Sequence, residues 1–334
     1  MGSYISKSNG NNLENHCYEN DIERCEEYDE YDECDESSNF NQINKRGSKI
    51  NEIYVGSNKF KSSQIGKLDD IEMKFSDDTH DVHDVHNTDY TDDMMNEVLL
   101  GNPKYVCQNE LEILSNFGNH KISHLRSKKS GNVISILQIN PENLDLNNVN
   151  RVIVYNHGNN ENIYTVEPIL VWLSKVCSSI VISYDYTYDK IIPSEENCYD
   201  CLKTIVDHVV KLHVNKNILL VGYSFGTGVV IDYVNKTRWQ MPILLLASYK
   251  SIPNNQLLKE DVFDNISKIN NVQCPILFVH GKKDVLINWT HTKQLFDATP
   301  IKKFNPVYYD NANHNDLFSY LEPKIFNKLF SFNI

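Results

Sequence analysis

From about residue 119, the chain alternates short, almost wholly apolar runs with longer runs of helical periodicity. The apolar runs are RVIVYN, SSIVISYDY, NILLVGYS, MPILLLASY, CPILFVHG and NPVYYD. A strand that is apolar on both faces must be covered on both faces, and parallel sheets flanked by helices bury their strands in this way. The alternation therefore predicts an α/β fold with a mostly parallel sheet and helices on both faces.

An antiparallel hairpin is predicted ahead of the parallel strands. KISHLRSKKSGNVISILQIN reads as two strands joined around Ser130-Gly131-Asn132, residue types that favour a tight turn. Its basic tip, HLRSKK, is interpreted as solvated surface, with a patch for phosphate head groups as the alternative. Later helices are predicted over ENIYTVEPILVWLSKV, PSEENCYDCLKTIVDHVVKLH and FGTGVVIDYVNK.

Charge divides the chain near residue 100. Residues 1–100 carry 24 Asp and Glu against 9 Lys and Arg, a net charge of −15, whereas residues 101–334 carry a net charge of +2. The first segment has too few apolar residues at helical or strand spacing to bury a core. We therefore expect a disordered acidic arm over 1–100 and one α/β domain over 101–334, a length that buries a sizeable core.

Eight cysteines are scattered rather than patterned, and the sequence has no hydrophobic signal segment and no apolar run long enough to span a bilayer. We expect an intracellular, cytoplasmic protein with reduced thiols. Cys198 and Cys201 have the spacing of a redox pair, but they fall in a predicted helix, which favours a structural role. His80, His83 and His86 recur every third residue, and duplication of an Asp-Val-His unit explains them better than a metal site.

Ser224 has the spacing of a catalytic nucleophile. It is the central residue of Gly222-x-Ser224-x-Gly226, between the predicted strand NILLVGY and the predicted helix FGTGVVIDYV. In a nucleophile elbow the serine occupies a sharp, strained bend, and small residues two positions away on either side prevent a clash. The alternative is an ordinary strand-to-helix turn.

Asp284 and His314 complete a candidate triad. Each follows a predicted strand, in HGKKD and in NANHND, 60 and then 90 residues after Ser224. Because a serine hydroxyl needs an imidazole to take its proton and a carboxylate to hold that imidazole, residues at the carboxyl ends of neighbouring strands are suited to these roles. Asp297 and His291 are the nearby competitors, and both lie in less suitable places.

The negative oxygen formed by attack on a carbonyl needs preorganised donors. Phe225, at the start of the helix after Ser224, is predicted to donate its backbone N–H. The second donor is assigned to Asn159, in the loop HGNN after RVIVYN, with Asn160 as the near alternative. His157 is expected to orient this loop rather than act as a base.

The blocks HGNN, SYDY, PSEENCYD, GYSFGTG, HGKKDVLI and NANHND, in this order, resemble the α/β-hydrolase superfamily. More narrowly they are similar to the branch of α/β-hydrolase-domain proteins that includes membrane-associated palmitoyl-protein thioesterases. The resemblance covers roughly residues 119–332. It implies serine hydrolysis of an acyl ester or thioester, with an acylated protein or a lipid-like acyl compound as substrate, without a metal or organic cofactor and with no nucleic-acid partner.

This chain departs from that branch at two places. SYDYTYDKIIPSEE has no glycine where the branch has a Gly-rich turn beside the acyl pocket, and the cysteines of the acidic arm are dispersed rather than clustered for lipidation. Only about 25 residues separate MPILLLASYK from CPILFVHG, so no large lid is expected there. A thinly capped site suits a bulky acylated substrate.

The opening MGSYISK matches the pattern for myristoylation of Gly2, which would associate the protein peripherally with a membrane surface. A single myristoyl chain binds membranes only marginally, so a second signal is required. Two rival functions remain at this level: an acyltransferase or serine peptidase that uses the same triad, and a non-catalytic scaffold with the same fold.

Overall fold

The computed structural model describes residues 106–186, 194–213, 216–252 and 263–332, together with the backbone of two short strands near residue 55. Those strands, β1 (Glu52–Val55) and β2 (Asn58–Lys61), pair antiparallel. They lie in the acidic segment, where no strand was predicted. The rest of that segment, including the myristoylation candidate Gly2 and the histidine repeat at 80–86, lies outside the described residues, so the arm remains a prediction.

The described residues of the domain form an eight-stranded sheet in the order β10-β9-β8-β7-β5-β6-β4-β3. The strands are β3 (His120–Arg126), β4 (Val133–Ile139), β5 (Arg151–Asn156), β6 (Ile180–Tyr184), β7 (Asn217–Tyr223), β8 (Ile243–Leu246), β9 (Ile276–Gly281) and β10 (Val307–Tyr309). β3 pairs antiparallel with β4 and β4 antiparallel with β6, and the other neighbours are parallel. The predicted fold class, a mostly parallel sheet with an antiparallel hairpin at its start, is confirmed.

The helices cover both faces of the sheet. They are α1 (Gln108–Ser115), α2 (Glu167–Cys177), α3 (Glu195–Leu212), α4 (Phe225–Thr237), α5 (Asn265–Ile269), α6 (Thr290–Ala298) and α7 (Pro323–Phe330), with a 3-10 helix at Leu317–Tyr320. Side chains of α3, α4, α5 and α6 join one buried apolar cluster, and those of α1, α2 and α7 join another. Strand β7 shows the alternation, since Leu220 belongs to the first cluster and Leu219 and Val221 belong to the second.

Helix α2 starts later than its periodicity predicts. The predicted helix begins near Glu161, but α2 begins at Glu167 with a proline in its first turn. The preceding residues form a turn in which the Asn162 side chain accepts backbone hydrogen bonds from Tyr164 and Thr165 at 3.1 and 2.9 Å. This local turn leaves the loop after β5 free of helical structure up to Glu167, and that loop borders the candidate site.

The carboxyl ends of β5, β7, β9 and β10 lie along one edge of the sheet because these strands are parallel. The loop after β5 carries Asn159, the loop after β9 carries Asp284, and the turn after β10 carries His314. Ser224 directly follows β7. The sheet topology therefore brings to one edge the residues that sequence spacing singled out.

Candidate active site

Ser224 occupies the bend between β7 and α4, with a backbone φ of 50° and ψ of −119°. A positive φ is rare for a residue with a side chain and costs roughly 1 to 3 kcal/mol, which the surrounding structure must offset. The bend is held by a hydrogen bond from the Ser224 N–H to the Leu246 carbonyl of β8, at 2.9 Å. The Ser224 carbonyl in turn accepts the Thr227 N–H at 2.9 Å and the Thr227 hydroxyl at 2.7 Å.

The flanking glycines are required by close backbone contacts. A Cβ on Gly226 would lie 2.1 Å from the Asn156 carbonyl oxygen at the end of β5, and one on Gly222 would lie 2.7 Å from the Gly226 carbonyl oxygen. Real Cβ atoms do not approach backbone so closely. The spacing of the GxSxG pattern therefore reflects the crossing of α4 over the ends of β5 and β7, as the elbow interpretation predicted.

The three predicted triad side chains form one hydrogen-bonded chain. The Ser224 Oγ lies 3.0 Å from His314 Nε2, and His314 Nδ1 lies 2.7 Å from Asp284 Oδ2. Because the carboxylate only accepts, Nδ1 carries the hydrogen and the neutral imidazole presents a bare Nε2 to the serine hydroxyl. All three side chains are buried. This is the arrangement in which a serine hydroxyl can lose its proton as it attacks.

The loop that carries Asp284 is hydrogen-bonded to the turn that carries His314. The Lys283 N–H donates to the Ala312 carbonyl at 2.9 Å, and a Cβ on Gly281 would lie 2.2 Å from the same oxygen. The Tyr223 hydroxyl, one residue before the serine, donates to the His314 carbonyl at 3.0 Å. The positions of the three residues are therefore coupled through backbone contacts as well as through their side chains.

The Asp284 carboxylate receives four hydrogen bonds. Oδ1 accepts the backbone N–H groups of Leu286 and Ile287 at 2.9 and 2.8 Å, and Oδ2 faces His314 and a second histidine, His280, whose Nε2 lies 3.1 Å away. Burial alone would raise the pKa of this carboxyl. The two imidazoles outweigh that effect and hold the pKa of Asp284 well below its usual range, so the acid stays ionised.

His314 is shifted in the opposite direction. Burial disfavours its charged form, but the Asp284 carboxylate, its hydrogen bond and the negative charge of Glu161 together raise the pKa of His314 above its ordinary value. The site thus favours the imidazolium that forms when the serine is deprotonated.

The loop after β5 lies against the elbow, and it carries the second predicted oxyanion donor. Asn159 lies in this loop, and its neighbour Asn160 adopts a positive φ of 58°. Gly158 donates its N–H to the buried Glu161 carboxylate at 2.6 Å, which closes the loop on itself. Phe225 is the first residue of α4, so its N–H lies at the positive end of that helix, directly after the serine. The predicted oxyanion roles of Phe225 and Asn159 remain predictions.

His157 has the environment of a structural residue. Its Nδ1 lies 2.8 Å from the Gly158 carbonyl, its ring packs on Tyr186 with centroids 4.3 Å apart, and burial lowers its pKa to about 4. A histidine that stays neutral and bonds to its own loop fits the expected orienting role.

The rejected competitors lie outside the hydrogen-bonded chain. Burial lowers the pKa of His291 to about 4, and its Nδ1 accepts the Lys250 N–H at 3.4 Å. Asp297 is exposed in α6 and forms an ion pair with Lys293 at 2.6 Å.

Other sequence features have structural explanations or exposed positions. Cys198 and Cys201 are fully buried in α3 and do not form a disulfide. At the tip of the β3–β4 hairpin, Lys129 forms an exposed ion pair with Glu196 at 2.8 Å, as a solvated tip would. Among the described residues, no His, Cys, Asp and Glu side chains cluster as a metal site would require. None of the helices in the described ranges combines the length and the apolar composition of a membrane-spanning segment.

Three residues around the site were not predicted: His280, Glu161 and Tyr223. The one available signal for His280 was a histidine inside the otherwise apolar strand CPILFVHG. Spacing cannot show that its side chain meets Asp284, or that Glu161 folds back onto Gly158. These contacts depend on loop conformations that have no sequence signature of their own.

Comparison with known proteins identifies relatives of this chain. It is similar to a protein of Acanthamoeba polyphaga mimivirus named as an alpha/beta hydrolase, with 34% identity over 226 residues that cover 64% of this chain and 84% of that protein. It is also similar to alpha/beta hydrolase domain-containing protein 17C of Homo sapiens, with 26% identity over 180 residues that cover 51% of this chain and 54% of the human protein. The chain thus spans little more than half the length of that human relative. No family model matches the chain.

Solved structures show the same fold. An esterase of Pyrobaculum calidifontis matches 67% of this chain and 88% of its own, with a TM-score of 0.51 and 14% identity. An esterase of Pyrococcus furiosus matches 68% of this chain and 96% of its own, with a TM-score of 0.51 and 15% identity. At these identities the likeness concerns the fold alone.

Proposed function

The chain belongs to the α/β-hydrolase family, and from that premise we propose that it is a serine hydrolase that cleaves acyl esters or thioesters through Ser224, His314 and Asp284. The observation that carries the proposal is the continuous hydrogen-bonded chain from the Ser224 hydroxyl to the Asp284 carboxylate. The strained backbone of Ser224 adds to it, because such strain is commonly retained where a side chain must be held in place for function.

In the first half of the proposed reaction, the Ser224 oxygen attacks the acyl carbonyl carbon while its proton passes to His314 Nε2. The carbonyl oxygen becomes negative and accepts hydrogen bonds from the backbone N–H groups of Phe225 and Asn159. When the intermediate collapses, the bond to the alcohol or thiol breaks, and His314 returns its proton to that leaving group. An acyl ester of Ser224 remains.

In the second half, His314 takes a proton from water, whose oxygen attacks the acyl carbon. Collapse of the second intermediate breaks the bond to the Ser224 oxygen, and the proton on His314 restores the serine hydroxyl. Asp284 keeps its charge throughout, holding Nδ1 protonated and stabilising the imidazolium in each half. No other group is needed to balance these steps.

Protein depalmitoylation is the substrate assignment we propose within this chemistry. It is supported by the resemblance of the sequence blocks to the thioesterase-containing branch, and by the short connection between β8 and β9, in which the described helix α5 has five residues. On this proposal the protein works at a membrane surface inside the cell, with Gly2 as the candidate lipidation site.

The direct test is thioester hydrolysis by the purified protein and by Ser224→Ala. We expect the wild type to release the acyl group from an S-palmitoylated peptide faster than from an S-acetylated one, and we expect the variant to release neither. Preference for the short chain would retain the hydrolase and remove the depalmitoylating assignment. Diversion of most of the acyl group to an added amine or alcohol, rather than to water, would indicate an acyltransferase instead.

A further inference from the structure

His280 lies behind the acid of the candidate triad. It is the next-to-last residue of β9, and its side chain is fully buried. Its Nε2 lies 3.1 Å from Asp284 Oδ2 and 2.9 Å from the Ile287 carbonyl oxygen, and its Nδ1 lies 2.7 Å from the Thr292 hydroxyl of α6. Both ring nitrogens therefore have partners, and one of these partners is the carboxylate that holds His314.

The partners determine where His280 carries its hydrogen. A carboxylate oxygen and a peptide carbonyl oxygen only accept, so the hydrogen lies on Nε2, which they share. Nδ1 lies 2.7 Å from the Thr292 hydroxyl, which in turn donates to the Ser248 carbonyl oxygen at 3.3 Å. The ring is thereby fixed between β9, α6 and the loop after β8.

We propose that His280 is a positioning residue for Asp284, donating to the same oxygen that receives the His314 hydrogen bond, with Thr292 holding the His280 ring in place. This inference rests on the proposed serine-hydrolase function. Oδ1 is already occupied by two backbone N–H groups, so the orientation of the carboxylate is set at both oxygens. Without the His280 donor, Oδ2 would be held by His314 alone. His314 is the residue that gains and loses a proton during catalysis.

Because Oδ2 is shared, the proposal predicts the direction in which the pH profile of activity shifts when the His280 donor is removed. Asp284 Oδ2 accepts from two imidazoles. When the His280 donor is lost, Oδ2 becomes a stronger acceptor for His314, which stabilises the imidazolium and raises the pKa of His314. His314 must be neutral to act as a base, so the acid limb of the activity profile moves to higher pH when the donor is removed. The ionisable groups around His280 are Asp284 on its own loop, His314 from the turn after β10, and His291 in α6, which stays neutral because its pKa is lowered to about 4.

Two matched pairs of variants test the proposal. His280→Gln keeps a side-chain N–H donor near Asp284, whereas His280→Leu removes it at similar volume. Thr292→Ser keeps the hydroxyl that faces Nδ1, whereas Thr292→Val removes it and retains the shape. Each variant is compared with the wild type in thioester hydrolysis over a range of pH, in its rate of labelling by a fluorophosphonate, and in thermal unfolding.

We expect His280→Leu to lose roughly 10- to 100-fold in kcat/KM, the range for a lost hydrogen bond to a charged group, and to shift the acid limb to higher pH. His280→Gln and Thr292→Ser should recover most of the rate, and Thr292→Val should fall between the extremes. Equal loss in His280→Leu and His280→Gln with an unmoved acid limb would overturn the positioning role, as would wild-type kinetics in His280→Leu.

The result also separates this inference from the proposed function. A folded wild-type protein that neither hydrolyses thioesters nor reacts with the fluorophosphonate at Ser224 would remove both claims. A reactive wild type whose rate and pH profile are unchanged in His280→Leu would remove the positioning claim alone. If His280→Leu does not fold, the Thr292 pair decides: equal activity in Thr292→Ser and Thr292→Val would overturn the role of the His280 ring.

Discussion

At the scale of single residues, the Glu161 carboxylate contributes to the electrostatics of this site. It is buried in the loop after β5, accepts the Gly158 N–H, and adds a second negative charge to that of Asp284 around His314. A negative charge stabilises the imidazolium, so it raises the pH at which His314 becomes a base. The Glu161 side chain therefore both holds the loop after β5 through Gly158 and raises the pKa of His314.

Glu161→Gln separates these two effects, because the amide can still accept the Gly158 hydrogen bond but carries no charge. The wild-type acid limb should lie above the ordinary histidine pKa of about 6.5, since the pKa of His314 is raised. In Glu161→Gln we expect the limb to move to lower pH with a similar plateau rate. A pH series of thioester hydrolysis measures this, and a limb that stays in place or moves upward would contradict the electrostatic role.

Residue spacing could predict that Ser224, Asp284 and His314 lie together, because each lies within five residues of the carboxyl end of a strand and parallel strands end at one edge of a sheet. The same reasoning separated His314 from His291 and Asp284 from Asp297. It could not predict His280, whose role depends on the direction of a side chain within a strand. Sequence order shows which residues reach the edge, whereas contacts behind that edge are set by packing.

At the scale of elements, the crossing of α4 over β5 determines whether the elbow can form. Gly226 is the point of contact, where any side chain would meet the Asn156 carbonyl at 2.1 Å. The obstacle is backbone at the end of a central strand, so it cannot move aside as a flexible side chain would. Relief would require α4 to separate from the sheet.

We therefore expect Gly226→Ala to lower the free energy of unfolding by about 3 kcal/mol or more. Gly118→Ala is the matched control, because a Cβ there meets nothing within 4 Å and its φ is not positive. Urea unfolding of both variants provides the comparison. Equal stability of the two would mean that the close crossing does not constrain the elbow.

The boundaries of elements were predicted less well than their existence. Strands β5 to β9 correspond to apolar runs because almost all of their residues are buried, whereas β3 has no buried residue and was predicted from the turn signal that follows it. Helix α1 was missed, since Leu114 is its one buried residue and it has little apolar stripe to detect. The start of α2 was placed too early because the Asn162 turn overrides a periodic pattern that continues through it.

At the scale of the whole molecule, Asp185 links the stability of the domain to pH. It follows β6, and its carboxylate accepts the Ile163 N–H at 2.8 Å and is also hydrogen-bonded by the backbone of Val106. Burial raises its pKa to about 7 despite these bonds. One side chain thus connects the end of β6, the loop after β5 and the segment before α1.

A carboxyl whose pKa is raised in the folded state favours folding most when it is protonated in both states. Its contribution is fully present below the unfolded pKa of about 4 and is lost as pH rises through the folded pKa of about 7. Asp185→Asn keeps an acceptor for the Ile163 N–H and cannot ionise. We expect its stability advantage over the wild type to grow across that window and then level off, as measured by urea unfolding at a series of pH values; a constant difference would contradict the assignment.

The arrangement of the whole sheet was only partly predictable. Alternation of apolar strands with helices required a mostly parallel sheet, but it did not order the strands. β6 lies between β5 and β4, and β7 lies on the other side of β5, because the chain crosses over the sheet after the first two parallel strands. The order of the strands depends on long-range packing of the two apolar layers, which local sequence patterns do not encode.

Intact-protein mass after fluorophosphonate treatment shows whether Ser224 is an activated nucleophile. Wild type, Ser224→Ala and the matched Ser248→Ala would be treated in parallel, since Ser248 is a buried serine outside the triad. We expect one adduct on the wild type and on Ser248→Ala, mapped to Ser224 by peptide sequencing, and none on Ser224→Ala. A folded wild type that takes up no label, or a Ser224→Ala variant that is labelled as fast as the wild type, would contradict the account.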